Sequence, residues 1–176
     1  MTSSKFALII PARLQSKRLP GKVLLKKTGK YLIQHVWEQV KGFEKTGAVV
    51  IATDSLQVKE AAESFGAHVQ MTRADHPSGT DRVAEAARFL DPAVDIIVNV
   101  QGDEPFICCE DIENLIKTFD QDDTIDMATL ARKRNGRTAR GNPNIVKVVT
   151  NNSGEALYFS RSPIPFAREG TAPWLH

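Results

Sequence analysis

The sequence has few of the residues that build disulfide and zinc sites. Its 176 residues include two cysteines, Cys108 and Cys109, which are adjacent and therefore poorly placed to link distant segments. The four histidines have no metal-ligand spacing and no cysteines placed to complete a zinc site; they are His35, His68, His76 and His176. These absences argue against a disulfide-built secreted scaffold. They fit a reducing compartment, so we expect a cytoplasmic location.

Long apolar runs and a strong net charge are also missing. No apolar run approaches the length of a membrane span, and the N-terminus has no signal-peptide pattern, so we expect no membrane partner. The net charge of +2 is too small to indicate nucleic-acid binding. With 41% hydrophobic residues, the chain has the composition of an ordinary globular protein, and its length predicts one domain over residues 1–176.

Strand and helix patterns alternate along the chain. Strands are predicted at 6–10, 48–52, 68–72, 96–100 and 126–130, and helices at 31–41, 55–65, 80–90 and 111–119. Two further strands, 145–150 and 156–160, flank Asn-Asn-Ser-Gly and predict a hairpin. Trp37 falls on the apolar face of the first helix, so we expect it in the core. The order predicts an α/β fold, a three-layer α/β/α sandwich with a mostly parallel sheet.

The central stretch runs from Val94 to Pro105. A β-branched run changes abruptly to Gln101-Gly102-Asp103-Glu104-Pro105, which leaves two carboxylates and an amide at the carboxyl end of a buried strand. Ligands bind at this edge of open α/β sheets. We therefore infer that Asp103 holds a divalent metal carrying a nucleotide phosphate. The alternative is an acidic surface turn with no function.

The loop after the first strand is rich in cations. It carries Arg13, Lys17, Arg18 and Lys22, and it lies where α/β folds usually place phosphate-binding loops. Neither the Walker pattern nor the Rossmann glycine pattern is present. Guanidinium and ammonium groups suit a triphosphate, whereas the alternative is a solvated basic loop.

Two more polar clusters follow predicted strands. Thr53-Asp54 ends the second strand, where Asp54 could equally be an ordinary charge near a helix start, and Ser55 can cap that helix. The segment 73–82 could read a base edge through Arg73 and backbone groups. It could also be a plain polar loop before a helix capped by Ser78 or Thr80.

A late basic segment at 132–140 packs five cations into nine residues. A nucleic-acid patch is conceivable there. Because aromatic residues are not interleaved and no known module is present, a solvated, mobile loop is favoured, and we expect no nucleic-acid partner.

Eight motifs, taken in order along the chain, resemble the 3-deoxy-manno-octulosonate (KDO) cytidylyltransferase family, also called CMP-KDO synthetases. They lie at residues 9–13 (IIPAR), 18–22 (RLPGK), 52–54 (ATD), 71–76 (MTRADH), 78–82 (SGTDR), 98–105 (VNVQGDEP), 142–149 (NPNIVKVV) and 156–161 (ALYFSR). The resemblance implies a nucleotide-diphospho-sugar transferase-like, Rossmann-like fold. It also implies that CMP is transferred from CTP to KDO with Mg²⁺ required, which supplies lipopolysaccharide assembly.

The resemblance also suggests roles for the residues already singled out. Arg13, Lys22 and Asp103 are the catalytic candidates, with Asp103 as the metal ligand. The nucleotide-binding candidates are Pro11, Ala12, Arg13, Arg18, Lys22, Thr53, Asp54, Arg73, Ser78, Gly79 and Asp103. Gln101 and Arg161 are the candidates for the sugar acid, Arg161 because a carboxylate suits a guanidinium fork.

The chain departs from the family at two places. The basic segment 132–140 differs from the family's usual segment. The family also continues past His176, through a part that supplies a further metal-binding aspartate, sugar contacts and the surface of a homodimer. We therefore expect this chain to be truncated at its C-terminus, to bind CTP weakly and to turn over poorly.

Three other functions stay open at this point. The chain could serve another acidic sugar, such as a sialic acid. It could be a non-catalytic nucleotide-binding fragment. A structural or nucleic-acid role is the least favoured.

Overall fold

The computed structural model describes residues 5–15, 19–45, 47–135, 140–166 and 173–176. The chain divides into two compact units, 1–126 and 127–176, and each is described by itself below. The single domain expected over 1–176 stays a prediction.

The first unit is built on a parallel sheet of four strands in the order β3-β2-β1-β4. The strands are β1 (Phe6–Ala12), β2 (Ala48–Thr53), β3 (His68–Met71) and β4 (Ile96–Asn99). β1 is central and pairs in parallel with both β2 and β4. Its residues Ala7 to Ile10 are fully buried, as a strand covered on both faces requires.

Four helices connect and cover these strands. They are α1 (Leu32–Val40), α2 (Leu56–Glu63), α3 (Gly79–Ala87) and α4 (Cys109–Gln121). Ser55 caps α2 by accepting a hydrogen bond from the Val58 amide, and Ser78 caps α3 through the Asp81 amide. All four predicted helices are confirmed, and Trp37 is buried on α1, as expected.

The two faces of β1 contact different helices. Leu8 and Ile10 belong to an apolar cluster with residues of α1, α2 and α4. Ile9 belongs to a second cluster, with Val83 and Ala86 of α3. Alternate strand residues point to opposite faces, so the sheet lies between two helical layers. The predicted three-layer α/β fold is therefore confirmed.

The strand predicted at 126–130 is wrong. Those residues have no regular structure, and Met127 and Leu130 are 87% and 46% exposed. The pattern of apolar residues resembles a strand, but a strand also needs a neighbouring backbone to pair with. The segment lies at the boundary between the two units, and no pairing is formed there among the described residues.

The second unit holds an antiparallel sheet in the order β5-β8-β6-β7. Its strands are β5 (Lys133–Arg134), β6 (Lys147–Thr150), β7 (Ala156–Ser160) and β8 (Trp174–Leu175). β6 and β7 form the predicted hairpin, and the Asn151 side chain accepts hydrogen bonds from the Ser153 and Glu155 amides in its turn. Lys147 is fully buried and donates to the carbonyls of Asn142, Ile145 and Arg161.

The basic segment 132–140 departs from the expected solvated loop at two points. Lys133 and Arg134 are exposed but form β5 against β8. Arg140 is 7% exposed, so its guanidinium is not on a solvated surface. Residues 136–139 lie outside the described part of the chain. Among the helices that the structure describes, none has the length and apolar character needed to cross a bilayer.

Candidate functional site

The carboxyl end of β1 is the point where the polar segments of the first unit meet. Ala12 pairs with Thr53 at the end of β2. A methyl group added at Gly79 would lie 3.6 Å from the Pro11 ring, and one added at Gly102 would lie 2.7 Å from the Pro11 carbonyl oxygen. The ends of β1 and β2, the start of α3 and the turn after β4 therefore share one edge of the sheet.

Lys22 and Asp103 form an ion pair at this edge of the sheet. Lys22 Nζ lies 2.6 Å from Asp103 Oδ2, although 81 residues separate them in the chain. The two side chains keep 36% and 49% of their surface exposed, so a ligand can reach both. The first loop and the turn after β4 thus place their opposite charges together, as the sequence predicts.

Local backbone geometry brings Lys22 to this position. The Gly21 amide donates to the Leu14 carbonyl at 2.9 Å, which closes the loop back on its own start. Gly21 has a φ of 69°, in the left-handed region that favours glycine, and it begins the 3₁₀ turn that carries Lys22. Arg13 is exposed directly after β1, whereas Arg18 lies outside the described residues.

The turn after β4 concentrates negative charge. Burial raises the pKa of the Glu104 carboxyl above its ordinary value, and the charge of Asp103 raises it further. Carboxylate oxygens suit Mg²⁺, which commonly uses one or two of them together with substrate phosphates. The described residues contain no group of three or more His, Cys, Asp or Glu able to hold a metal alone. The Asp103 carboxylate is thus of the chemical type that Mg²⁺ accepts beside phosphate oxygens. Gln101 lies beside this turn, with Nε2 donating to Asn99 Oδ1 at 3.1 Å.

The polar side chains at the end of β2 contact other groups of the protein. Thr53 is fully buried, and its hydroxyl accepts from the Ser55 amide. Asp54 Oδ1 lies 3.3 Å from Nη2 of Arg82, a residue of α3 that is only 3% exposed. The geometry thus gives Asp54 a protein partner. Arg82 stands inside the SGTDR motif, but nothing in the sequence pattern marks it as buried.

The loop between β3 and α3 carries the residues expected to face a base. Arg73 is exposed, and its Nε donates to Asp75 at 3.0 Å. The Ser78 hydroxyl is occupied by its cap, because it accepts from the Asp81 amide and also contacts the Asp81 carboxylate. A cavity of about 380 Å³ opens beside this loop, lined partly by Arg73 and by Glu85 of α3. Sequence reasoning missed Glu85, because an acidic residue on a helix is usually exposed to solvent.

Arg161, the second candidate for the sugar acid, belongs to the second unit. Its Nη1 donates to the Pro143 carbonyl at 2.8 Å, and its own carbonyl accepts from the buried Lys147. Gln101 belongs to the first unit, so the two candidates for the sugar acid are held by different parts of the chain.

Comparison with known proteins gives consistent matches along the chain. A family model described as Cytidylyltransferase matches residues 7–175. The 3-deoxy-manno-octulosonate cytidylyltransferase of Hahella chejuensis is 48% identical over 167 residues, covering 94% of this chain and 65% of that protein. The enzyme of the same name from Francisella philomiragia is 50% identical over 162 residues, covering 92% and 64%. The chain thus spans about two-thirds of the length of these relatives.

A solved structure of CMP:2-keto-3-deoxy-manno-octonic acid synthetase complexed with CTP superposes with a TM-score of 0.91 at 43% identity. The match covers 98% of this chain and 70% of that one. Sequence and structure comparisons thus confirm the resemblance inferred from the motifs.

Proposed function

The chain belongs to the cytidylyltransferase family, and we propose that it transfers CMP from CTP to KDO, releasing pyrophosphate. In this reaction the anomeric hydroxyl of KDO attacks the α-phosphorus of CTP. A new P–O bond forms between the sugar oxygen and the α-phosphorus, the bond from the α-phosphorus to the bridging oxygen breaks, pyrophosphate leaves with that oxygen, and the proton of the hydroxyl passes to solvent. The observation that carries the proposal is the Lys22–Asp103 contact of 2.6 Å at the carboxyl end of the parallel sheet.

The cations of the first loop neutralise the triphosphate. Arg13, Arg18 and Lys22 present guanidinium forks and an ammonium group, and each charge-assisted hydrogen bond contributes about 1.5–3 kcal/mol. Among the described members of this set, Lys22 contacts the acidic turn directly, through Asp103. Its ammonium can hold the leaving pyrophosphate, on which negative charge builds as the P–O bond breaks.

Asp103 is the residue that would hold Mg²⁺, together with the nucleotide phosphates. The ion would supply charge neutralisation at the phosphates, an effect worth several kcal/mol in such reactions. The orientation of the Asp103 carboxylate toward Lys22 places it at the end of the site where the phosphates would lie. Gly102 allows this orientation, because its lack of a side chain lets the turn approach the Pro11 carbonyl.

Base and sugar recognition are assigned to groups around this centre. Arg73, Ser78 and Gly79 face cytosine, with backbone groups available where the Ser78 hydroxyl is used for capping. Pro11, Ala12, Thr53 and Asp54 shape the edge of the sheet on which the nucleotide lies. Gln101 in the first unit and Arg161 in the second each stay a candidate for contact with the sugar acid.

The first experiment measures CTP binding with Mg²⁺ by calorimetry, then pyrophosphate release with KDO. Asp103→Asn should lower kcat/KM by about a hundredfold or more while leaving the unfolding midpoint unchanged, since several kcal/mol of stabilisation corresponds to two or more factors of ten. Asp123→Asn, which alters an exposed loop carboxylate, is the matched control. Equal activity of the two variants would refute the role of Asp103.

A substrate panel tests the sugar. KDO should support pyrophosphate release, and a sialic acid should not. Turnover with sialic acid alone would move the proposal to another acidic sugar, and tight CTP binding without any turnover would favour a non-catalytic fragment. The proposal also includes a cytoplasmic reaction that supplies lipopolysaccharide assembly, with a homodimer as the full-length form.

A further inference from the structure

Glu85, on the side of α3 that faces the loop after β3, holds the middle of that loop. Its Oε2 accepts a hydrogen bond from the Arg73 amide at 3.1 Å and also contacts His76 Nε2. The Glu85 and His76 side chains are only 19% and 10% exposed, so the contact is shielded from solvent. One carboxylate therefore joins the helix to two points of the loop.

The two ends of the loop are fixed by other groups. At the start, the Thr72 amide donates to the Thr53 carbonyl at 2.9 Å, and Arg82 contacts the Thr72 hydroxyl. At the end, Ser78 caps α3. Between these anchors, Glu85 is the one side chain from outside residues 73–77 that hydrogen-bonds to them within the described parts of the chain.

We propose that Glu85 is a positioning residue that sets the loop for reading the base, and this inference rests on the proposed function. By holding the Arg73 amide and the His76 ring, Glu85 fixes the backbone that presents Arg73, Ser78 and Gly79 to cytosine. In this role Glu85 acts through the loop and not through a contact of its own with the nucleotide. Charge supports the arrangement, since the hydrogen bonds from His76 and then from the Arg73 amide lower the pKa of Glu85 and keep it an acceptor.

A fixed loop is what base discrimination requires. CTP and UTP differ at the 4-position and N3 of the base, where a donor and an acceptor are exchanged. A site rejects the wrong base when its own polar groups are left unpaired, and this penalty falls if the loop can rearrange to find new partners. Loss of the Glu85 contacts should therefore weaken CTP binding and reduce the preference for CTP over UTP.

The test compares dissociation constants for CTP and UTP, with Mg²⁺, in the wild-type chain and in Glu85→Ala, Glu85→Gln and His76→Ala. Glu60→Ala is the matched control, since Glu60 is an exposed glutamate within α2. We expect Glu85→Ala to weaken CTP binding by roughly tenfold, the scale of one lost hydrogen bond to a charged group, and to reduce the CTP/UTP ratio by at least about threefold. Glu85→Gln retains an acceptor for the Arg73 amide and should fall between Ala and the wild type.

Several outcomes separate the inference from a purely structural role. A further variant carries both Glu85→Ala and His76→Ala. If Glu85 acts partly through His76, the change in the CTP/UTP ratio in this double variant will be smaller than the sum of the two single changes, expressed as free energies. A uniform loss of both affinities with the ratio unchanged would mean that Glu85 only supports the fold, and would overturn the inference. Should Glu85→Ala fail to fold, Glu85→Gln carries the same comparison.

Failure of the proposed function looks different. If the wild-type chain prefers CTP and the Glu85 variants show the same dissociation constants for CTP and UTP, the role of Glu85 is refuted and the proposed function is not affected. A wild-type chain that binds neither nucleotide, or binds both equally, would refute the proposed function, and the inference with it.

Discussion

Gly102→Ala is the substitution whose effect follows most directly from the packing around the turn after β4. The new methyl group would lie 2.7 Å from the Pro11 carbonyl oxygen and 3.3 Å from Ile33 Cδ1. Pro11 belongs to the central strand of the parallel sheet, so its carbonyl cannot move aside as a flexible side chain could. Overpacking of this kind costs about 1–3 kcal/mol. The turn must shift to relieve the contact, which carries Asp103 away from Lys22.

Urea unfolding followed by circular dichroism would measure this loss. A chain of this size should also melt roughly 2–4 °C lower for each kcal/mol lost. Gly42→Ala is the control, because a methyl group there meets no atom within 4 Å and Gly42 has no positive φ. Its stability should stay within about 0.5 kcal/mol of the wild type. Equal stability of the two variants would show that the turn does not lie against Pro11, and would remove the geometric basis of the site.

Three further predictions concern charge. Lys147→Met should lower the free energy of unfolding by about 1.5–3 kcal/mol in urea titrations, because three carbonyl oxygens lose their charged donor; a loss below 1 kcal/mol would contradict this. The hydrogen bond from Lys30 is the main cause that lowers the pKa of Glu38, so the ionised carboxylate stabilises the folded state. The Glu38→Gln variant should therefore be less stable than the wild type above pH 4.5. The difference in the free energy of unfolding should disappear as the pH falls through the lowered pKa. Unfolding curves at pH 7 and pH 3 test this, and an unchanged difference would refute it. Lys22→Met should weaken CTP binding by roughly tenfold or more, whereas the exposed Lys27→Met should not, and equal calorimetric affinities would argue against a phosphate contact.

The parts of the site that could be predicted from sequence were the strand ends. β-branched or apolar runs mark β1, β2 and β4, and polar residues follow soon after each run. The expectation that β4 is buried is wrong in part, because β4 lies at the edge of the described sheet and Ile97 is 38% exposed. Because the carboxyl ends of parallel strands share one edge, the sequence predicts that Lys22 and Asp103 converge, and the structure places them 2.6 Å apart. Capping of α2 by Ser55 was equally predictable, because it depends on residues close in the chain. For α3 the sequence left Ser78 and Thr80 as alternatives, and the structure shows Ser78 as the cap.

The parts that could not be predicted depend on what surrounds a residue. Lys147 occurs in a β-strand pattern where a lysine would normally point to solvent, yet it is fully buried with three carbonyl partners. Glu85 and Arg82 look like solvated helix charges, but both point toward loops at the strand ends. The apolar pattern at 126–130 predicts a strand, and no partner strand is available there among the described residues.

The amino-acid order alone indicated the strands and helices of the first unit, the cap of α2 and which strand ends carry charge, because these features depend on neighbours a few residues apart. Tertiary structure alone decided which charged side chains meet, which of them are buried, and which strand-like segments pair with a neighbouring strand. Such contacts join residues tens of positions apart, and their free energy depends on desolvation and on the geometry of the partner, neither of which is written in the local sequence.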